Sequence, residues 1–215
     1  MISFEDVKKY LPHHLNEEDQ GKLFNDLKQF PCNIDKRFYS SKLSDEVKLY
    51  QGDGTKSLIV VNLPDPKIAA HNCLILSNTC DISSENIRFF PPRLVYAPIF
   101  SLEKYKHALM SEHAASGDSA SQDKIFAHID TIKKQFISNI FYLPACDQLA
   151  EDSIVFLDRL NNCSTQEITT EFISENKLFT LSNYGFYIFL IKLSIHFTRI
   201  REGIDRNTGN FESAA

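Results

Sequence analysis

Two short apolar runs, joined by a polar loop that ends in two prolines, do most to limit what this chain can fold into. Leu74-Ile75-Leu76 passes directly into Ser77-Asn78-Thr79-Cys80-Asp81, and Leu94-Val95-Tyr96-Ala97-Pro98-Ile99 is entered through Pro91-Pro92. Apolar runs of this length, bounded by Asn, Asp, Ser and Pro, predict buried strands with turn chemistry between them. A third run, Ser57 to Leu63, follows the turn signal Gln51-Gly52-Asp53-Gly54, and Pro64-Asp65-Pro66 after it predicts a loop extending to His71. Three strands within about 45 residues predict a small twisted sheet or barrel.

The flanking segments have helical patterns. Phe4, Val7, Leu11 and Leu15 follow helical spacing until Pro12 interrupts it; Asn16 is an N-cap for a second helix, with Leu23, Leu27 and Phe30 on one face and Pro31 ending it. Residues 1–48 are therefore expected to form a helical cap. Leu102, Tyr105 and Leu109 mark a helix, Ala115 to Ser121 a flexible connection, and Ile125, Ile129, Ile132, Phe136 and Ile140 a second apolar stripe. This hairpin, 102–140, interrupts two β regions as an insertion in a main unit of residues 49–200. Strands resume at Phe141 to Pro144 and Ser153 to Leu157, Asn161 to Thr165 is polar and turn-like, and Phe172 to Leu181 is mixed. Ser182 and Asn183 cap a closing helix in which Phe186, Phe189, Leu190, Leu193 and Phe197 share a face. Residues 201–215 carry little pattern and are expected to be a flexible tail.

Composition excludes several function classes. Seven glycines in 215 residues argue against a Gly-rich nucleotide-binding architecture. A net charge of -5 provides no broad basic field, so nucleic-acid binding would need a local patch. Cys32, Cys73, Cys80, Cys146 and Cys163 are odd in number and contain no CxxC pair, which fits buried thiols in a reducing cytoplasm better than a disulfide frame or zinc site. No cofactor is implied, and His13-His14 has no metal-site company. The charged start at Glu5 to Lys9 does not resemble a signal peptide, and Tyr184 to Phe197 is too short and interrupted to span a bilayer.

The residues able to carry chemistry gather around the first two runs. Thr79, Cys80 and Asp81 stand at a strand end; a Cys nucleophile there would need a base such as His71 within reach. The blander alternative is that Thr79 and Asp81 brace the turn while Cys80 is buried. Arg88 and Arg93 flank Phe89-Phe90, a pairing that suits phosphate and base contacts as well as a solvated loop. Arg199, Arg201 and Arg206 form a modest basic tail.

The order of segments resembles the PemK/MazF toxin family. Gln51-Gly52-Asp53 stands where members carry an Arg-Gly-Asp turn. His71 to Asn78 (HNCLILSN) is similar to the family's RPALVLSN, Val95 to Ser101 (VYAPIFS) to VVAPLTS, and Asp152 to Leu160 (DSIVFLDRL) to DSVVLLDQI, with Leu181-Ser182 before a closing helix. The resemblance covers 50–101 and 141–198. It implies an α+β fold with a small SH3-like β-barrel, a cytoplasmic setting in toxin–antitoxin growth control or defence, and metal-free cleavage of single-stranded RNA. It also implies an antitoxin or other protein partner, or a homodimer in which the Phe-rich closing helix could serve as the face. The chain departs from the family at the two positions on which its chemistry depends. His71-Asn72 replaces the catalytic Arg and its following Pro, and Phe100, followed by Ser101, replaces the Thr. Imidazole titrates near neutrality and can act as base or acid, but it cannot reproduce the bidentate charge of Arg on phosphate. Two function classes follow: an endoribonuclease using His71, Thr79, Cys80, Asp81 and Ser101, with Arg88 and Arg93 on the nucleic acid, or a binding module that kept the barrel and lost the catalytic pair.

Overall fold

The computed structural model describes residues 15–83, 85, 88–116 and 121–198. Among them are one eight-stranded antiparallel sheet and six α-helices, an α+β architecture. In chain order these are α1 (Glu17–Gln29), β1 (Tyr39–Ser40), β2 (Gly54–Asn62), β3 (Lys67–Ile75), α2 (Thr79–Ile82), β4 (Arg93–Ser101), α3 (Leu102–Ser116) and α4 (Ser121–Lys133). They continue with β5 (Ile140–Leu143), β6 (Ser153–Phe156), β7 (Asn161–Ser164), α5 (Thr170–Asn176), β8 (Lys177–Leu181) and α6 (Asn183–Thr198). The sheet runs β1-β8-β2-β3-β4-β6-β5, with β7 also on β4.

The last three residues of β3 and most of β4 organise the fold because both faces are buried there. Side chains alternate across a strand, so Cys73 and Ile75 enter one core while Leu74 and Leu76 enter another. β4 does the same with Leu94 and Tyr96 against Ala97 and Ile99. The larger core packs the sheet against α1 and α6 through Phe38, Phe141, Leu157 and Phe189, all fully buried. The smaller gathers Leu49, Leu58, Leu94, Tyr96 and Ile173 between β2, β3, β4 and α5. A third core seats the α3–α4 hairpin on β5 and β6, joining Leu102, Ile125, Ile129 and Ile132 to Ile140, Tyr142 and Ile154. The sheet curls so that β2 reaches β7: Val61 N donates to Asn161 Oδ1 at 2.9 Å, and Tyr96 OH donates to Ile59 O at 2.6 Å. These are side-chain links, and among the described residues main-chain pairing does not close the sheet.

Local chemistry explains the ends of elements. Asn16 Oδ1 accepts from Asp19 N at 2.8 Å, the expected cap of α1. Ser182 Oγ accepts from Gly185 N at 3.2 Å at the start of α6. At Gly185, a Cβ would collide with the Phe38 carbonyl, so only glycine lets α6 approach this closely.

Several expectations are corrected. Residues 64–71 are not one loop: Pro64-Asp65-Pro66 makes only the turn, and β3 begins at Lys67, paired with Asn62. Asn161 to Ser164 is a strand, polar because it lies at an edge, paired with Arg93 to Tyr96. The helical reading of residues up to 48 misses β1, which pairs with β8. The α4 stripe stops at Lys133 because Gln135 takes φ +63° and turns the chain; Phe136 is then 60% exposed and Ile140 opens β5. The buried face of α6 is Tyr184, Gly185, Ile188, Phe189 and Lys192, whereas Leu190 and Phe197 are exposed. Among the described residues no helix is long and apolar enough to cross a membrane. The Phe4 to Leu11 helix, His13-His14, Arg199, Arg201, Arg206 and the 201–215 tail lie outside the described residues.

Candidate functional site

The end of β3 is built into a rigid corner by its own polar residues. Leu76 N and Ser77 N both donate to Val95 O, at 2.9 and 3.2 Å, and Ser77 Oγ accepts from Val95 N at 2.7 Å. Ser77 thus continues the ladder with its side chain after the strand has ended. Asn78 then caps α2, its Oδ1 accepting from Cys80 N at 2.9 Å. Thr79 Oγ1 accepts from Gln51 N at 3.0 Å, and Gln51 Nε2 donates to Leu76 O at 2.8 Å. These bonds lock the Ser77 to Asp81 corner onto the Gln51-Gly52-Asp53 turn.

Beside this corner lies an open groove of about 550 Å³. Its floor is aliphatic: Leu49, Ile82, Leu94, Ile168 and Ile173, which are the outer part of the smaller core. Thr79, Lys48, Glu85, Arg88 and Gln166 line the rim. The rim charges are paired with one another: Lys48 to Glu85 at 3.4 Å, and Arg88 to Asp81 in a short contact. Tyr50 OH, also on the groove, donates to Glu46.

Under the groove, Lys177 holds the 43–48 segment from inside. Its Nζ donates to Leu43 O at 2.8 Å and Lys48 O at 3.1 Å, and stands 3.4 Å from Asp53. Asp53 is fully buried, and burial raises its carboxyl to about 6 even though Lys177 and the Tyr50 N–H oppose that shift. Both groups serve the groove wall rather than its surface. Asp53 was legible only as a turn residue, and no sequence signal marked Lys177, Ile168 or Ile173.

The predicted site residues divide into three places. Thr79, Cys80, Asp81, Arg88 and Arg93 share the groove end of β4. Thr79 braces the turn, as the bland reading expects. Asp81 instead pairs with Arg88, and Cys80 is exposed rather than buried. Arg93 is exposed and bonded to Asn162. His71 stands apart on exposed β3 opposite Leu58, four residues or about 13 Å along the strand from Ile75. Ser101 is at the far end of β4, eight residues or about 26 Å from Arg93. There its Oγ donates to Glu151 Oε2 at 2.8 Å and accepts from Lys104 N at 3.2 Å, a cap for α3. The structure therefore does not bring His71 and Ser101 to the Thr79 corner. Among the described residues no three His, Cys, Asp or Glu side chains gather as a metal site.

Comparison with protein-family models and with curated proteins gives no match for this chain.

Proposed function

We propose that this chain is a protein-binding module on a PemK/MazF-like barrel that no longer cleaves RNA, and that its groove takes a short aliphatic segment of a partner protein. The curl of β2, β3, β4 and β7 around one small core supports the barrel. The observation that carries the function is the groove's chemistry: an aliphatic floor under a rim whose charges already neutralise each other. An RNA strand draws its affinity from unbalanced Lys and Arg, and here Lys48 and Arg88 each face a carboxylate. A peptide placing aliphatic side chains on Leu49, Ile82, Leu94, Ile168 and Ile173 would bury apolar area at about 25 cal/mol per Å², while Thr79 and Gln166 offer polar contacts to its main chain. The setting is that of the resembled family, cytoplasmic growth control in which a toxin-like chain is held by a protein partner.

One observation favours metal-free endoribonuclease activity as a second reading: Arg88 and Thr79 share the groove, with Asp81 beside them. A single experiment separates the two. A random peptide display library is selected on wild type and on Ile82→Glu, while mixed-sequence single-stranded RNA is incubated with wild type and Arg88→Ala in EDTA. Enrichment of aliphatic peptides that Ile82→Glu fails to retain, with RNA intact, supports the binding module. RNA cleavage that survives EDTA and disappears in Arg88→Ala overturns it in favour of the nuclease.

A further inference from the structure

The curled sheet ends on β1 at one side and on β5 at the other. The two ends meet where Tyr39 OH donates to Pro144 O at 2.6 Å. Beyond that bond they part. Pro144 has no amide hydrogen to offer β1, and Ala145 N turns away to Asp152 Oδ1 at 3.1 Å. A cavity of about 440 Å³ opens at this seam, within the roughly 300–1,000 Å³ of small-molecule sites, which favour the mouths of curled sheets. It shares no lining residue with the groove.

The cavity has an apolar part and a charged part. Tyr39, Leu178, Phe179 and Cys146 make the apolar part, and all four belong to the larger core or pack on it. The Tyr39 and Phe179 rings meet edge to face with centroids 5.0 Å apart. The charges stand on two short, fixed turns. Lys36 opens the helical turn Lys36–Phe38, which is held by Asp35 Oδ1 accepting from Arg37 N at 2.9 Å and by fully buried Phe38. Asp147 and Gln148 form the tip of a turn closed from both sides, Cys146 N donating to Leu149 O at 2.9 Å and Leu149 N to Cys146 O at 3.1 Å. The side chains of Lys36 and Asp147 join in no ion pair or hydrogen bond, with each other or with any other described residue. The groove's rim charges neutralise one another; here an ammonium and a carboxylate stand unjoined around one apolar hollow, one from each side of the seam.

We propose that this seam binds a free amino acid with an aromatic or large aliphatic side chain. Its carboxylate meets Lys36 and the Ser41 hydroxyl, its ammonium meets Asp147 and Gln148 Oε1, and its side chain lies on Tyr39 and Leu178. The charges select this class. A phosphate or nucleotide needs several free cations, whereas the second lysine of the lining, Lys177, is already spent on Leu43 O, Lys48 O and Asp53, and Asp147 repels an anion. A neutral apolar ligand leaves both charges unused. The site stands whatever the groove binds.

An amide and methyl NMR titration of the full chain tests the proposal with three probes: L-phenylalanine, phenylpropionate, which lacks the ammonium, and phenethylamine, which lacks the carboxylate. The expected result is a saturable shift of the Ser41 and Gln148 amides by L-phenylalanine, with each analogue at least about tenfold weaker. Lys36→Met should weaken L-phenylalanine about tenfold and phenethylamine not at all. Asp147→Asn should weaken L-phenylalanine about tenfold and phenylpropionate not at all. Both residues are exposed, and the wild-type series decides the matter even if a variant misfolds. No saturable shift, an analogue that binds as tightly as L-phenylalanine, or variants that bind it unchanged overturns the proposal; so does L-phenylalanine that moves the groove methyls of Ile168 and Ile173 in place of the seam amides.

Discussion

The two ends of β4 differ in what surrounds them. At Arg93 the strand opens onto an aliphatic groove whose floor is the outer layer of a small core. At Ser101 it runs into α3, and the hairpin formed by α3 and α4 covers β5 and β6 with a core of their own. Candidate site residues stand at both ends of the strand, yet Thr79 and Arg88 at one end border a cavity while Ser101 at the other caps α3 and bonds Glu151. A motif aligned along one strand can thus span about 26 Å (eight residues at ~3.3 Å) and belong to two unrelated environments.

The largest expected effect separates the ends by stability. Ile154 is fully buried under the hairpin, so Ile154→Ala should lose about 2–5 kcal/mol in urea unfolding while groove-selected peptides bind the folded protein unchanged. Leu94→Ala, at the groove end, should lose both stability and peptide. Equal loss of peptide in the two variants would show that the ends are not independent.

A pH titration of stability should give the two regions opposite signs. Burial raises Asp53 under the groove to about 6. Its contribution is therefore fully present below its unfolded value near 3.8 and is lost as pH rises through about 6, on the order of 3 kcal/mol. Lys192 is buried behind the hairpin, donating to Gln135 O at 2.9 Å and to Ile137 O, and burial lowers it to about 8. Its contribution is present above the unfolded value near 10.5 and is lost as pH falls through about 8, again on the order of 3 kcal/mol. Asp53→Asn should flatten only the acidic limb and Lys192→Met only the basic one, as read from denaturation midpoints at fixed pH.

The smallest effects concern the two ends directly. Ser101→Ala removes a helix cap and should cost about 1 kcal/mol, leaving peptide binding as it was. Arg88→Ala breaks a half-exposed ion pair and should cost about 0.2–1 kcal/mol in stability, but it leaves Asp81 unneutralised on the rim and should weaken acidic peptides most and basic ones not at all. A larger binding loss from Ser101→Ala than from Arg88→Ala would contradict the division.

Much of the fold was legible because apolar periodicity carries it. The runs at Leu74 and Leu94, the hairpin stripe through Ile132 and the caps at Asn16 and Ser182 all follow from local chemistry. Where the sequence misled, long-range pairing decided the outcome. Lys67 to His71 have no strand pattern and become β3 only because β2 offers a partner; Asn161 to Ser164 is polar and becomes β7 at the edge of β4. The stripe at Phe136 fails because Gln135 turns the chain, held by its own amide to Tyr142. Of the site, the Thr79 corner was visible as small polar residues at a strand end. The groove floor was not, since Leu49, Ile82, Ile168 and Ile173 come from distant segments and each looks like ordinary core.

The most direct test is a methyl NMR titration that follows Ile82, Ile168 and Ile173 while adding, separately, a library-selected aliphatic peptide and a mixed-sequence single-stranded RNA. The groove reading predicts that the peptide moves all three resonances in saturable fashion and that RNA leaves them in place and emerges intact. Resonances that move with RNA and not with peptide, or RNA that is cut during the titration in EDTA, would contradict it.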